Sequence, residues 1–573
     1  MDASTSENWD IVVVGSGPGG LAAAACLAAA GRRVLVVEAH DVAGGNTQVF
    51  RRHHMKADGV RDEYEFDVGV HYIGDCGAGG LFPSIFASLG VGERMRFLPL
   101  DPDGFDTLSF PDLTFVVPAG WDRYRERLID AFPQERAGID RVVTTLQSVA
   151  EEGRARVIPG VETPTFDQWA FRPLSELFAE GELSQRSQAV LDHWSGLYAG
   201  APSQTAVAMH AGIIDHYMRG AYYPEGGGQM IPARLVQVIE AHGGEVRTLS
   251  PVRRIIVEEC RARGVEMEDG SIITANLVVS NADHARTVFQ LVGEAHWEPA
   301  TLRWTRDAAM TLGLVCVYLV VDIDLTSGPN TNYFVFPTYE TEGLYAGLDE
   351  GRLDTDAGVF VYLAMASRKD PDNPHLCPTG QTNLQIMTLA PRGTQWWGLD
   401  SSPGDGGRYR RSPAYLERKA EITDALLSAA ERILADQLGG ASLRDHVVFV
   451  ETATPLSQQR YTRSTGGTSY GYMHSPEQSG MCRPAHRSEI DGFWLVGANT
   501  VSGHGVAGAM VGGVNCAGQI LERPLLVEMI LGHALVDPAV VPADPAGFDP
   551  IEWCRGKRLR ERRAAGRAAR ASQ

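Results

Sequence analysis

Residues 9–40, WDIVVVGSGPGGLAAAACLAAAGRRVLVVEAH, leave the chain few ways to fold. Residues 10–14 form a short apolar run rich in β-branched side chains, and they lead directly into Gly15, Ser16, Gly17, Pro18, Gly19 and Gly20. Residues 21–30 have the composition of a helix, Gly31 supplies its stop, and residues 34–37 read as a second buried strand. Glu38 ends that strand, eighteen residues after Gly20. Strand, glycine turn, helix, strand and terminal acid occur in the order of a dinucleotide-binding βαβ unit.

Each part has a physical reason. Gly15 permits the tight turn, Gly17 lets backbone N–H groups approach a pyrophosphate, and Gly20 allows close packing of helix on strand. The helix N-terminus faces the anion. A carboxylate at Glu38 accepts hydrogen bonds from ribose hydroxyls, and an acid there disfavours a ribose 2′-phosphate. Ala39 continues into a loop with Gly44, Gly45 and Asn46, which can close over the pyrophosphate from the other side and is typical of FAD rather than NAD binders.

The remaining glycine-rich blocks return to this unit from far along the chain. Residues 223–230, YPEGGGQM, precede a predicted helix over 232–242 with a Gly243-Gly244 stop. Residues 245–248 and 252–258 read as strands, 264–267 and 272–274 as a hairpin, and 277–280 as a buried strand closed by Asn281. Residues 491–499 form a strand ending on Gly497, and a small-residue helix runs from Gly503 to about 520. Gly503, Gly505 and Gly508 repeat GxGxxG, but no strand runs directly into them and no acid-terminated strand follows. They read better as a helix N-terminus aimed at the pyrimidine edge of a reduced flavin, where the dipole stabilises negative charge.

Between these blocks the texture changes. Residues 76–222 carry amphipathic helical patterns, and their aromatic and His residues (among them His193, Trp194, Tyr198, His210, His216, Tyr217, Tyr222 and Tyr223) read mostly as core with a few lining a cavity. Residues 308–321, 334–337 and 360–365 read as strands and 415–438 as an amphipathic helix, with a loop at 401–412. The fold class is α/β: a Rossmann-like domain from 1–75, 223–300 and 456–522, interleaved with an α+β substrate domain on a mixed sheet from 76–222 and 301–455. Residues 523–573 form a C-terminal extension. At 573 residues the chain exceeds the size of one core, as this division requires.

Charge and cysteine usage narrow the setting. A net charge of −20 argues against a general nucleic-acid binder. Residues 551–573 hold eight Arg or Lys against two Glu, leaving −26 for the rest. Such a tail reads as a solvated helix end or disordered segment, and it could also touch anionic lipid. The run Arg51, Arg52, His53 and His54 likewise reads as a solvated face, and residues 65–74 after it read as an otherwise apolar strand that brings a glycine, His71 and Tyr72 together. Eight cysteines without a CxxC pair or metal-type clustering suit reduced thiols in a cytoplasmic protein with no metal site. The uncharged stretches 11–31 and 492–521 are interrupted by glycine turns, so neither reads as a membrane span, while peripheral attachment stays open.

These blocks together resemble the phytoene desaturase, carotenoid isomerase and retinol saturase group of flavoproteins. The resemblance runs from about residue 10 to 520 on GSGPGGLAAAACLAAAG, EFDVGVHYIG, YPEGGGQMIPARLVQVIEAHGGEV with VVSNAD, SRKDPDNP with IMTLAP, TPLSQQRYTRSTGGTSYG and FWLVGANTVSGHGVAGAM. It implies FAD contacts from Gly15, Gly17, Gly20, Glu38, Gly44, Gly45, Val252, Asn281, Gly497 and Val506, with Val70, His71 and Tyr72 beside the isoalloxazine. The group usually places an acid after the Val-Gly of the last strand, where this chain has Ala498 followed by Asn499.

The flavin would carry the redox step and the protein would position an apolar lipid against it, such as a retinoid, carotenoid or unsaturated acyl chain. Saturation, desaturation and double-bond isomerisation all suit such a pocket. His71, Tyr72 and His504 are the candidates for proton handling. A flavin amine oxidase is the nearest rival. Enzymes of that kind often place a Lys near the flavin, and Lys56, Lys369, Lys419 and Lys557 fall in no block assigned to the cofactor. A non-catalytic flavin scaffold is the remaining reading. The electron donor or acceptor (oxygen, quinone, ferredoxin or free NAD(P)H) and the oligomeric state are not specified by the sequence.

Overall fold

The computed structural model describes residues 7–56, 59, 61–158, 160–401 and 407–571. Part of the predicted 401–412 loop and the last two residues of the tail lie outside these. The first strand, Glu7–Val14, is followed by the helix Pro18–Ala29 and the strand Val34–Val37. Glu7–Val14 pairs in parallel with Val34–Val37 on one side and with Ile272–Ser280 on the other. Glu245–Arg247 extends the sheet beyond Val34–Val37, and Phe493–Leu495 pairs in parallel with Ile272–Ser280. Arg261–Met267 and Val252–Glu258 complete seven strands as an antiparallel edge.

Both faces of this sheet are covered, which is why its central strands are continuous apolar runs. Ile11, Val13, Val34 and Val36 face a core shared with Met230–Ala241 and Gly505–Leu521, while Val12, Val14, Leu35 and Val37 face a second core with Phe493 and Trp297. Small residues let the first helix lie close to its neighbours. A Cβ on Gly20 would sit 2.4 Å from the Gly15 carbonyl oxygen, and one on Gly513 would sit 2.2 Å from that of Gly19.

A second seven-stranded sheet is mixed. In spatial order its strands are Val447–Ala453, Leu314–Val321, Thr382–Leu389, Val361–Ala364, Asn332–Val335, Asp106–Phe110 and Leu113–Val117. Alternation assigns the faces. Val315, Val317, Leu319, Leu384 and Ile386 pack with Ile422 and Leu426 of the helix Pro413–Ile433. Cys316, Tyr318, Phe334, Tyr362 and Met387 point the other way, into the core shared with residues 121–218.

Several elements differ from their sequence expectation. Residues 272–280 form one strand rather than a hairpin arm and a separate buried strand, because Glu7–Val14 pairs along nearly all of it while its other edge takes Arg261–Met267 first and Phe493–Leu495 last. The stretch 65–74 is not one strand. Arg61–Asp67 ends at Asp67, residues 68–72 leave the ladder, and Ile73–Gly74 joins a different sheet against Ala221–Pro224. The strand expected over 308–321 begins only at Leu314. Arg51 and Arg52 lie in Val49–Met55 and are not simply solvated. Arg51 pairs with the buried Glu65 at 2.7 Å and with Asp549 at 2.6 Å, and Arg52 pairs with Glu451 at 2.6 Å.

The basic tail is also accounted for. After Pro550–Trp553 the helix Lys557–Ala571 docks at the edge of the first sheet, where Arg558 meets Glu245 of the edge strand and Arg560 meets Glu240 of the helix Met230–Ala241, each at 2.6 Å, while Arg555 pairs with Asp41. These arginines serve internal ion pairs. No helix among the described residues is long and apolar enough to cross a membrane.

Candidate active site

A cavity of about 1190 Å³ runs between the two sheets. This exceeds the roughly 300–1,000 Å³ of ordinary small-ligand sites. One part of its lining is the glycine cradle, Gly15, Ser16, Gly17 and Pro18, with Glu38, Ala39, Gly45 and Asn46 opposite and Asn281 beneath. Gly15 and Gly45 have positive φ, at 92° and 57°. A Cβ on Gly45 would lie 2.9 Å from Gly17 Cα, so the two loops approach as closely as glycine alone permits. Glu38 is held ready: its Oε2 accepts from the Ser16 N–H at 2.9 Å and the Ser16 hydroxyl at 2.6 Å, and its Oε1 accepts from the His40 N–H at 2.8 Å.

The cavity continues past the helix N-terminus at Gly505, with Ser502, Gly503, His504, Val506 and Gly508 in its wall. Val252, Gly497, Ala498 and Asn499 line it as well. Asn499 Oδ1 accepts from the Tyr472 N–H at 3.0 Å, so this side chain also fixes the neighbouring loop. Gly19, Gly20, Gly44 and Val70 stand just behind the wall. Gly44 donates its N–H to Ser16 Oγ at 3.2 Å, while Gly19 and Gly20 pack against Asn281. Val70 is buried against Gly228.

Beyond His71 and Tyr72 the lining becomes aromatic and apolar: Leu197, Met209, Ile213, Tyr217, Phe334, Phe360, Tyr362, Met387 and Tyr470. Among the described residues, the lining drawn from 196–217 and 334–387 contains no carboxylate. The sequence reading of the aromatic and His set in the helical segment divides here. His216 and Tyr217 face the cavity, whereas His193, Trp194, Tyr198, His210 and Tyr223 are buried away from it.

Residues 18–302 match the flavin containing amine oxidoreductase family. The chain is 28% identical over 556 residues to the all-trans-retinol 13,14-reductase of Danio rerio, covering 91% of this chain and 87% of that protein. It is 26% identical over 539 residues to a chloroplastic prolycopene isomerase of an Oncidium hybrid cultivar, covering 90% and 84%. Among solved structures, an oxidoreductase from Methanosarcina mazei superposes with a TM-score of 0.60 at 16% identity, over 90% of this chain and all of that one. The chain is an FAD-dependent oxidoreductase, similar along most of its length to retinol reductases and carotenoid isomerases.

Its cofactor is FAD, and the cradle fits that group. Closely apposed glycines and an inward helix N-terminus suit a pyrophosphate, and the Glu38 carboxylate lies where a ribose is expected. The C-terminal segment adds Ile551, Glu552, Arg555 and Arg563 to the same lining, which the composition of the tail gave no reason to expect.

The three candidates for proton handling differ. His71 Nδ1 lies 2.8 Å from Gln385 Oε1, whose own Nε2 donates to the Asp67 carbonyl at 2.8 Å. The histidine therefore donates at Nδ1. Burial, reinforced by the Lys369 charge, pushes its pKa down to about 3, so it remains neutral. His504 Nε2 donates to the Leu197 carbonyl at 3.0 Å, its Nδ1 has no partner in the structure, and burial lowers its pKa to about 4. Tyr72 stacks on Tyr217 with ring centroids 4.2 Å apart and donates its hydroxyl to Asp106 Oδ2 at 3.1 Å.

Lys369 corrects the sequence reading. It lies in the SRKDPDNP segment, assigned there to no cofactor block, yet its Nζ donates to the His71 carbonyl at 2.6 Å and to Asn332 Oδ1. Asn332 in turn donates to Asp106 Oδ1 at 2.8 Å. Asp106 is fully buried and Lys369 nearly so, no local motif marked Asp106, and SRKDPDNP marked Lys369 without placing it near His71. Only the parallel pairing of Asn332 with Asp106 brings them together.

Proposed function

We propose that this oxidoreductase transfers hydrogen at carbon–carbon double bonds of a long apolar polyene, of the retinoid or carotenoid class. The observation that carries the reading is the continuity of the glycine cradle with an aromatic chamber whose lining from 196–217 and 334–387 holds, among the described residues, no carboxylate. FAD supplies the hydride chemistry when bound. The protein's own residues do the rest. Phe334, Phe360 and Tyr362, on or beside the second sheet, give an extended hydrocarbon a rigid apolar bed. Neutral His71 and Tyr72 mark the junction between cradle and chamber.

The retinol reductases and prolycopene isomerases among its relatives support a polyene substrate, acted on by reduction in one case and by isomerisation in the other. An amine oxidase reading is weaker, because an alkylammonium entering the chamber would lose its water without meeting a carboxylate. We further infer that a separate reductant or oxidant charges the flavin, since the second GxGxxG opens a helix of the same cavity and provides no second nucleotide fold.

The test is to incubate the oxidised and the reduced holoenzyme with retinoids, carotenoids and unsaturated fatty acids, and to weigh the products. A gain of two hydrogens identifies a saturase and a loss of two a desaturase, while unchanged mass with altered retention identifies an isomerase. Conversion of amines but of none of these lipids would overturn the proposal.

A further inference from the structure

Behind the cavity wall lies a closed set of polar groups. Asp106 begins the strand Asp106–Phe110, Asn332 stands opposite it in register on Asn332–Val335, and Lys369 ends the short helix Ala366–Lys369. Asp106 and Asn332 are fully buried, and Lys369 nearly so. Tyr72 alone among the four also lines the cavity.

The hydrogen-bond directions are determined by elimination. Lys369 can only donate, so Asn332 Oδ1 is the acceptor and Asn332 Nδ2 must face Asp106 Oδ1 as a donor. That leaves Asp106 Oδ2 facing the Tyr72 hydroxyl, which donates to it when the acid is ionised and accepts from it when the acid carries its proton. We propose that Tyr72 delivers protons to the substrate and that Asp106 recharges it through Oδ2, with Asn332 and Lys369 as positioning residues that hold the carboxyl in that orientation. This rests on the polyene reading above.

In saturation, bound reduced FAD would supply the hydride that one carbon of the double bond accepts. The π electron pair forms a C–H bond at the other carbon with the Tyr72 proton, and the tyrosine O–H bond breaks. The phenolate then takes the proton of Asp106 Oδ2, leaving a carboxylate that the Lys369 ammonium offsets until solvent returns a proton. Desaturation follows the same path in reverse.

The surroundings support a carboxyl that carries a proton near neutrality. Burial raises Asp106 to about 7 against the opposing hydrogen bonds of Asn332 and Tyr72 and the charge of Lys369, and burial lowers Lys369 to about 7. The other titratable groups bearing on the set are Tyr217 and Tyr362 on the Tyr72 side, and Asp67 with its donor Tyr223 on the Lys369 side. His71 does not compete, since its ring is neutral and its Nδ1 proton is committed to Gln385.

The test uses the FAD-loaded protein and two readouts. The first is pH-difference infrared spectroscopy without substrate. Wild type is expected to show a protonated-carboxyl band that titrates near pH 7, is absent in Asp106→Asn, and is displaced in Tyr72→Phe, which removes the hydroxyl partner. The second is product formation per bound flavin against pH. Tyr72→Phe is expected to fall by about 100-fold or more, and Asp106→Asn to lose the inflection near neutrality.

Asp106→Asn keeps the Asn332 bond and places an amide N–H where the protonated acid would sit, so its flavin content checks that it folds. The pair is overturned if Asp106→Asn removes no carboxyl band, or if Tyr72→Phe turns over at the wild-type rate. Wild type that shows the band yet converts no polyene supports the Asp106 proton and refutes the substrate class instead.

Discussion

The Lys369 ammonium lies 2.6 Å from the carbonyl oxygen of His71, joining the segment after the strand Val361–Ala364 to the loop at the junction of cradle and chamber. The two residues are 298 positions apart. The contact ties the loop to the second sheet, so the geometry of His71 and Tyr72 depends on a residue outside the cavity wall.

Replacing Lys369 by Met leaves the His71 carbonyl and Asn332 Oδ1 each short of a donor. Unsatisfied buried acceptors cost about 1–3 kcal/mol apiece. The variant is expected to lose about 2–6 kcal/mol of stability at pH 7, measured by urea unfolding of the holoenzyme. A loss below about 1 kcal/mol would show that water or a shifted side chain replaces the ammonium.

Asp106 also governs how stability depends on pH. Its carboxyl is held at about 7 by burial, above the ordinary 3.8 expected when unfolded. The folded protein thus keeps a proton that the unfolded chain releases between about pH 4 and 7, and this group's contribution falls as pH rises through that window. Asp106→Asn removes the effect. Its stability relative to wild type is expected to improve by a few kcal/mol from about pH 5 to pH 8, and a pH-independent difference would contradict the assignment.

Glu38 holds Ser16 through two bonds and faces the expected ribose. Glu38→Gln weakens both roles while preserving shape. FAD affinity, measured by equilibrium dialysis, is expected to fall about 10- to 100-fold, equivalent to about 1.4–2.8 kcal/mol. An unchanged affinity would move the ribose elsewhere.

The C-terminal segment closes part of the cradle. Arg51 binds Asp549, Arg555 binds Asp41, and the Ala43 N–H donates to the Cys554 carbonyl at 2.7 Å. Ending the chain at Phe548 is expected to speed FAD release at least about tenfold, about 1.4 kcal/mol, followed by the rise of free-flavin fluorescence on dilution. Release at the wild-type rate would make the tail a scaffold only.

The βαβ unit was legible because every signal in it is local: apolar run, glycine spacing, helix and terminal acid lie within residues 10–38. Gln385 was not. It sits in Thr382–Leu389, a strand buried on both faces, so no polar alternation shows which side it serves. Asp106, Asn332 and Lys369 were invisible for a related reason, since their meeting depends on strand order in the second sheet. The tail displayed its charge but not its partners, because Asp41, Glu240 and Glu245 lie more than 300 positions away. The break after Asp67 was hidden by the apolar residues on either side of it.

The most direct measurement is anaerobic. The holoenzyme is photoreduced, mixed with a retinoid or carotenoid bearing conjugated double bonds, and followed by flavin absorbance and product mass together. The account predicts return of the oxidised flavin spectrum with a product two hydrogens heavier. A flavin that stays reduced before every polyene offered, with each polyene recovered at its original mass, would contradict it.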